Sequence, residues 1–262
     1  MKLLNQNQNK FSAILLALFL STLLCVESAW AVAPRLPKFG PYAIPITLQT
    51  QFLRQTPAYD YWKFSQFYLP QQTSSACGLA TTVMALNFLR GIPQFSDETL
   101  ITQNELLQTV FTGLWAGRVA EGGDGLKFDD WVLLVNNSLN NYGLSNAYRV
   151  EIVRLPNTPA GLAQLKQKLA ANEGNQNDLM LAYFNQGVLT SDWDGPHISP
   201  IGAYDNDPTN PQVLIMDVDR DWYPPYWSPV NKLLEAINRR APPDQGILRG
   251  EIGGILWIRE RI

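Results

Sequence analysis

Residues 71–80 read QQTSSACGLA, a polar loop that runs into an apolar stretch. From Cys77 onward, apolar side chains recur every three to four residues before a Gly-x-Pro sequence, which predicts a helix over 77–90. Cys77 would then lie at the helix N-terminus, where unpaired backbone N–H groups and the helix dipole favour an anion such as a thiolate. The alternative is an ordinary core helix with a buried, inert cysteine.

Helical patterns dominate the first half of the chain, and strand patterns dominate the second half. Helices are expected over 99–112, 128–139, 158–172 and 230–238, and strands over 148–153, 179–184, 199–204, 213–218 and 253–258. Residues 32–58 are rich in proline and are expected to be extended. The polar loop 205–211 is typical of a hairpin turn between two of the strands. Helices followed by antiparallel strands indicate an α+β fold, with one domain over residues 32–262.

The first 31 residues have the features of an export signal. Two lysines precede an apolar run over residues 11–24, and residues 29–31 (AWA) fit a small-x-small cleavage site. The apolar run is shorter than the roughly 20 residues that span a bilayer. We therefore expect a signal peptide over residues 1–31, no stable membrane span after cleavage, and an exported, periplasmic protein. An uncleaved anchor is the alternative.

Composition excludes several partners and sites. The net charge is −3 and no basic run is present, so the chain offers no electrostatic footprint for nucleic acid. Beyond the predicted signal, Cys77 is the one cysteine and His197 the one histidine, which rules out an internal disulfide and a Cys/His zinc cluster. No metal-ligand set and no tightly bound cofactor are expected. A free thiol in an oxidising compartment is unusual, and reactivity is one reason to retain it.

Catalysis by a thiolate needs a base and a third group that orients the base. His197, just before the strand expected at 199–204, is the one candidate base, with a structural histidine as the alternative reading. The next expected strand reaches Asp217, and a hairpin would place this carboxylate beside the imidazole. Spacing alone leaves Asp219 and Asp221 as alternatives.

Gln71 lies six residues before Cys77 in the polar loop. Its side-chain amide is a hydrogen-bond donor, and the Cys77 backbone N–H is a second one. Two donors aimed at one point form an oxyanion hole, which stabilises the tetrahedral intermediate of acyl transfer. Gln71 is therefore the candidate oxyanion-hole residue.

Three segments, taken together, resemble the phytochelatin synthases. Residues 71–80 resemble the family's nucleophile segment, residues 197–204 (HISPIGAY) its histidine segment, and residues 217–227 (DVDRDWYPPYW) its aspartate segment. The resemblance implies a papain-like cysteine protease fold, in which a helical half carries the nucleophile and an antiparallel-sheet half carries the histidine and aspartate. It also selects Asp217 over its acidic neighbours.

The resemblance, to the short bacterial type of this family, implies glutathione as the substrate of a γ-glutamylcysteinyl transferase or hydrolase. Cys77 would attack the Cys–Gly amide, and His197 would protonate the leaving glycine. The γ-glutamylcysteinyl thioester would then pass to water or to a second glutathione, which begins a phytochelatin and serves metal detoxification. Thiophilic metal ions such as cadmium and zinc are implied as activators, through their glutathione thiolates.

Three residues are candidates for substrate binding. Arg249 suits a substrate carboxylate, because a guanidinium binds carboxylates bidentately, although a surface arginine is an equal alternative. Arg220 and Tyr223 match residues that the resemblance associates with the second substrate. Two other functions stay open: a papain-like exported cysteine endopeptidase and a non-catalytic binding module. The oligomeric state is also open, with a homodimer as one alternative.

Overall fold

The described part of the chain, residues 39–91 and 99–261 of a computed structural model, is built on one antiparallel sheet. Its seven strands are β1 (Ile44–Pro45), β2 (Tyr148–Val153), β3 (Leu179–Asn185), β4 (Pro196–Asp205), β5 (Gln212–Ile215), β6 (Tyr226–Pro229) and β7 (Gly254–Glu260). They lie in the order β1-β6-β5-β4-β3-β7-β2, and every neighbouring pair is antiparallel. The signal peptide predicted for residues 1–31 lies outside the described residues.

Helices surround this sheet. They are α1 (Gln51–Gln55), α2 (Tyr59–Ser65), α3 (Cys77–Arg90), α4 (Gln103–Thr109), α5 (Leu114–Arg118), α6 (Phe128–Asn141), α7 (Pro159–Glu173), α8 (Gln186–Thr190) and α9 (Val230–Asn238), with 3₁₀ helices at Ile46–Leu48 and Gly246–Leu248. Helix α3 has the predicted bounds, and α6, α7 and α9 confirm the patterns at 128–139, 158–172 and 230–238. The helix predicted over 99–112 is shorter, because the Thr102 side chain accepts from Glu105 N and caps α4 at its start. In the described ranges, no helix is long and apolar enough to cross a membrane.

Both faces of the sheet are buried, which explains the continuous apolar run of β3. Leu179, Leu181 and Tyr183 contribute to one core with helices α3 and α6. The alternate residues Met180, Ala182 and Phe184 contribute to a second core with α7 and α9. Because successive side chains of a strand point to opposite faces, a strand buried on both sides needs apolar residues at every position.

The expectation of an extended conformation over residues 32–58 is wrong for part of the segment. Ile44 pairs with Trp227 in a short strand, as expected, but 3₁₀ and α-helical turns follow. The ring of Phe52 on α1 packs edge-on against Trp227 at 5.6 Å between centroids. Leu53 of the same helix is buried. Burial of these apolar side chains thus stabilises a helical turn that no apolar repeat in the local sequence predicts.

Strand β4 begins at Pro196, three residues before its predicted start, so His197 lies within the sheet. The register pairs His197 with Phe184 of β3. Strand β5 ends at Ile215, three residues before its predicted end at 218, so Asp217 lies two residues beyond the strand. The β4–β5 register shifts between Ile201 and Ala203, a bulge of the kind that re-aims side chains near active sites.

Candidate active site

Helix α3 places Cys77 at its N-terminus and is docked closely onto β4. The Thr81 hydroxyl donates to the Ile198 carbonyl at 3.0 Å, one residue beyond His197. A Cβ at Gly78 would lie 2.9 Å from Leu126 Cδ1 and 3.0 Å from Ile198 Cδ1. The glycine after the cysteine therefore allows the first helical turn to approach the strand that carries the histidine.

The loop before Cys77 is held by the glycine-rich turn at residues 121–125. The backbone N–H of Ser74 donates to Glu121 Oε2 at 2.9 Å, and the Ser74 hydroxyl accepts from Gly122 N at 3.0 Å. The Ser75 hydroxyl donates to the Gly123 carbonyl at 2.6 Å. The hydrogen bonds from the backbone and side chain of Ser74 hold the pKa of Glu121 below its usual range. The nucleophile loop is thus fixed from outside the helix.

His197 contacts both Asp217 and Cys77. Its Nε2 lies 2.9 Å from Asp217 Oδ1 and 3.0 Å from the Ser199 hydroxyl, which leaves Nδ1 for the thiol. Burial disfavours the charged imidazolium. The charge and hydrogen bond of Asp217, and then those of Cys77, outweigh burial and raise the pKa of His197 well above its ordinary value. The arrangement therefore favours an imidazolium beside the sulfur.

Asp217 is fully buried and receives several donors. Its Oδ1 also accepts from the backbone N–H of Asp219 at 2.9 Å, and its Oδ2 accepts from Gln186 Nε2 at 3.1 Å. The Tyr68 hydroxyl donates to the Asp217 carbonyl. Of the three acidic candidates, the structure brings Asp217 to the imidazole, and Asp219 contributes its backbone. Nothing in the sequence around Gln186 or Tyr68 indicates their contacts, because both depend on chain segments far apart.

Gln71 lies beside Cys77 in the same cavity. Its backbone N–H donates to the Val218 carbonyl at 2.8 Å, which joins the loop before the nucleophile to the loop of Asp217. Its side-chain Nε2 makes one long contact, 3.4 Å to the Ser74 carbonyl. Its buried Oε1 has no hydrogen-bond partner within the described segments. The side-chain N–H has only this long contact within the described residues, which leaves it available as a donor to a ligand in the cavity.

The cavity that contains Cys77, His197 and Gln71 has a volume of about 430 Å³. This lies within the range of small-molecule sites, about 300–1,000 Å³. Aromatic side chains and carboxylates line the rest of it: Tyr183, Trp193, Trp222, Tyr223, Asp124, Asp192 and Asp219. The cavity thus combines a largely apolar, aromatic wall with three carboxylates.

The three residues predicted to bind substrate are placed differently. Tyr223 lines the cavity, and its hydroxyl donates to Asp192 Oδ2 at 2.6 Å. Arg220 is exposed and stacks 4.6 Å from the centroid of the Tyr68 ring. Arg249 is also exposed. Neither arginine is among the residues that line the cavity.

In the part of the chain that the structure describes, no group of three or more His, Cys, Asp or Glu residues is arranged to hold a metal ion. The groups that meet at Cys77 are a thiol, an imidazole and the carboxylate of Asp217, which lies on the other ring nitrogen of His197.

A Cys–His–Asp triad on an α+β scaffold with an antiparallel sheet defines the class of site. Residues 46–250 match the phytochelatin synthase family, and the chain belongs to this family. It is 24% identical over 187 residues to glutathione gamma-glutamylcysteinyltransferase 3 of Lotus japonicus, covering 68% of this chain and 34% of the relative. It is 25% identical over 186 residues to glutathione gamma-glutamylcysteinyltransferase 1 of Arabidopsis thaliana, covering 68% and 33%. The matched region spans about a third of the length of these curated relatives.

Proposed function

We propose that the protein is a γ-glutamylcysteinyl transferase or hydrolase that cleaves glutathione through a Cys77 thioester, on a papain-like fold. The observation that carries this proposal is the contact of His197 with both Asp217 and Cys77, inside a cavity of small-molecule size. Family membership and the names of the plant relatives support glutathione as the acyl donor.

In the first half-reaction, the Cys77 thiolate attacks the carbonyl carbon of the Cys–Gly amide. The oxygen becomes an oxyanion that the Gln71 amide and the Cys77 backbone N–H stabilise. When the tetrahedral intermediate collapses, the C–N bond breaks and the imidazolium of His197 gives its proton to the leaving nitrogen. Glycine departs, and the γ-glutamylcysteinyl group remains on the sulfur as a thioester.

In the second half-reaction, water or the α-amine of another glutathione attacks the thioester carbon. Neutral His197 accepts the proton of the nucleophile, and the C–S bond breaks to restore the Cys77 thiolate and the imidazolium. Water gives γ-glutamylcysteine, whereas the amine gives a peptide longer by one γ-glutamylcysteinyl unit. The two outcomes differ only in the acceptor, so one cavity serves both.

Three further roles belong to the proposal. Tyr223, which lines the cavity, contacts the second substrate, and Arg220 and Arg249 attract substrate carboxylates from the surrounding surface. Thiophilic metal ions enter as glutathione thiolates, which are substrates rather than bound cofactors. The leader at residues 1–31 directs export to the periplasm. Cell fractionation with an antibody to the C-terminal part of the chain tests the last role, since a cytoplasmic signal alone would refute it.

The activity is tested by mass spectrometry of purified protein incubated with millimolar glutathione, with and without cadmium. We expect glycine together with γ-glutamylcysteine, longer (γ-Glu-Cys)n-Gly products, or both. Cys77→Ser and His197→Ala should abolish these products, because no other described residue offers a thiol or an imidazole. Folding of each variant is checked by circular dichroism.

The possible results distinguish the catalytic residues, the substrate and the alternative endopeptidase. Turnover of either variant within about tenfold of wild type, a difference of roughly 1.4 kcal/mol in activation free energy, contradicts the assignment. If a folded wild-type protein leaves glutathione intact, the assignment of glutathione as the substrate is wrong. In that case, cleavage of a protein substrate that depends on Cys77 identifies an endopeptidase.

A further inference from the structure

Gln186 joins the hairpin of the histidine to the loop of the aspartate. It directly follows strand β3 and is the first residue of α8. Its backbone N–H donates to the Gly195 carbonyl at 2.9 Å, two residues before His197, which closes the β3–β4 connection. Its side chain is 1% exposed. A buried glutamine fixed by its backbone to the histidine hairpin can place its amide with little freedom.

The Gln186 amide is oriented by two polar groups. Its Nε2 donates to Asp217 Oδ2 at 3.1 Å, and its Oε1 lies 3.4 Å from the Tyr226 hydroxyl. The reverse orientation would place Oε1 against a carboxylate oxygen, which is repulsive. The titratable groups around Asp217 are His197, Tyr68, Tyr223 and Tyr226. Each tyrosine has its pKa raised by burial first and then by nearby carboxylates, so all three stay neutral hydroxyls. The Arg220 guanidinium stacks on the Tyr68 ring and adds a positive charge nearby.

A buried carboxylate is costly unless its lone pairs are satisfied by donors. His197 and the Asp219 backbone serve Oδ1, Gln186 serves Oδ2, and the Tyr226 hydroxyl also hydrogen-bonds the carboxylate. Without the amide, the buried carboxylate would lose one of these donors in a place that water does not reach, and the carboxyl would rotate away from His197. Such a rotation would weaken the bond that aligns the imidazole.

We propose that Gln186 is a positioning residue of the reaction, which holds the Asp217 carboxylate aimed at Nε2 of His197 through its side-chain N–H. Gln186 also lines the cavity, but its side-chain N–H is directed at Asp217, so its role is exerted through that carboxylate. The inference rests on the proposed function for its assay with glutathione. It goes beyond that function by extending the triad to a fourth, uncharged residue.

Two substitutions separate this role from a merely structural one. Gln186→Leu removes the donor at nearly constant volume. Gln186→Glu keeps the shape of the side chain. The new carboxyl can donate to Asp217 only while it is protonated, and burial together with the neighbouring Asp217 charge should raise its pKa. The matched control is Gln212→Glu. Gln212 lies in strand β5, is also buried, and its Oε1 accepts from Gln49 Nε2 at 2.6 Å, so the same substitution is made at a buried glutamine that does not contact Asp217.

We expect kcat for glycine release to fall about tenfold or more in Gln186→Leu at every pH, with KM within about twofold of wild type. Gln186→Glu should approach wild-type kcat at the acidic end of the pH profile and lose activity as the pH rises. Wild type and Gln212→Glu should keep their activity over that same pH range. Wild-type kcat in the leucine variant, a glutamate profile parallel to wild type, or a rise in KM with unchanged kcat overturns the proposal.

The rate of Cys77 alkylation by iodoacetamide gives the same comparison without glutathione. If the positioning role is right, the pH dependence of alkylation changes in Gln186→Glu and not in Gln212→Glu. That result would stand even if glutathione proved not to be the substrate. An unchanged alkylation profile in Gln186→Glu overturns the role, and this variant keeps the test decisive if the leucine variant does not fold.

Discussion

At the residue scale, the site depends on a buried carboxylate that controls the charge of a buried imidazole. Asp217 lies two residues beyond β5, and its Oδ1 is 2.9 Å from His197 Nε2. Burial alone would favour the neutral imidazole, but the neighbouring charge reverses this and raises the pKa of His197 well above its ordinary value of about 6.5. The imidazolium form is therefore favoured, and in the proposed reaction it protonates the leaving glycine.

Asp217→Asn should reduce glutathione cleavage and shift its pH profile. The raised pKa of His197 means that activity is lost only as the pH rises through that high value. Without the Asp217 charge the pKa of His197 falls, so the alkaline limb of kcat/KM should move to lower pH. The rate at neutral pH should drop by about 10- to 100-fold, which is less than the loss expected when Cys77 is replaced. The measurement is the pH dependence of glycine release.

Asp207→Asn is the matched control, because Asp207 lies in the exposed β4–β5 turn and accepts from Thr209 N at 2.7 Å, as an asparagine oxygen also can. Its profile should match wild type. An alkaline limb that stays in place in Asp217→Asn would show that Asp217 does not determine the charge of His197.

At the element scale, the position of the nucleophile follows from how α3 is tied to its surroundings. Thr81 bonds the helix to β4, and Trp131 Nε1 of α6 donates to the Thr82 hydroxyl at 3.1 Å. Near its C-terminal end, Asn87 binds Ile101 twice, accepting from its N–H and donating to its carbonyl, both at 2.9 Å. These bonds use polar side chains inside the core, so the helix cannot slide without leaving buried groups unpaired.

Asn87→Leu should destabilise the fold by about 2–4 kcal/mol. The leucine fills a similar volume but leaves the N–H and carbonyl of Ile101 buried without partners. Ile101 is 2% exposed and Asn87 is 1% exposed, so water cannot replace the lost bonds. Urea unfolding of the purified variant measures the change in the free energy of unfolding.

Asn136→Leu on α6 provides the comparison, since Asn136 is exposed and its Nδ2 makes one local bond to the Val132 carbonyl at 2.9 Å. Its effect should stay within about 0.5 kcal/mol, as for most surface substitutions. A loss of less than about 1 kcal/mol in Asn87→Leu would show that Ile101 finds other partners.

At the scale of the whole molecule, the end of the sheet opposite the active site carries three buried or half-buried acids. Asp60 Oδ2 accepts from Asn172 Nδ2 at 2.6 Å, and Asp178 Oδ2 accepts from Trp257 Nε1 at 2.9 Å. Burial raises the pKa of Glu173 to about 7 and that of Asp178 to about 6, and it raises the pKa of Asp60 well above the ordinary value. Folding therefore favours the protonated form of each acid.

This acid group predicts that stability falls as the pH rises from about 5 to 8. A pKa raised by folding contributes stability that is complete below the unfolded-state value, near 4. The contribution is lost as the pH rises through the folded values of about 6 for Asp178 and about 7 for Glu173. The melting temperature measured across this range should decrease in wild type.

Glu173→Gln should flatten that decrease. The amide oxygen can still accept from Tyr204 N, which donates to Glu173 Oε2 at 2.7 Å, but it binds no proton. Glu235→Gln, at a half-exposed position on α9 that pairs with Lys232, should leave the slope unchanged. Equal slopes for Glu173→Gln and wild type would show that Glu173 does not titrate in this range.

Much of the site was predictable from local sequence. Cys77 lies at the start of a periodic apolar run, and the chain offers one candidate base, His197, so two members of the triad followed from residue type and helix pattern. The long helices and the strands Tyr148–Val153 and Leu179–Asn185 also followed from side-chain periodicity. Boundaries next to prolines were less predictable, as at β4, because pairing with a neighbouring strand extends a strand beyond its own pattern.

The sequence by itself determined the main helices and strands and marked Cys77 and His197 as the candidate nucleophile and base, because residue type and period act within a few residues. Spacing left Asp219 and Asp221 as alternatives, the family resemblance favoured Asp217, and the tertiary structure brings Asp217 to the imidazole. Only the tertiary structure placed Gln186 against Oδ2 and left Arg220 and Arg249 outside the cavity lining. The physical reason is sheet register. Strands far apart in the chain fix which side chains meet, and burial then determines which of those contacts bear charge.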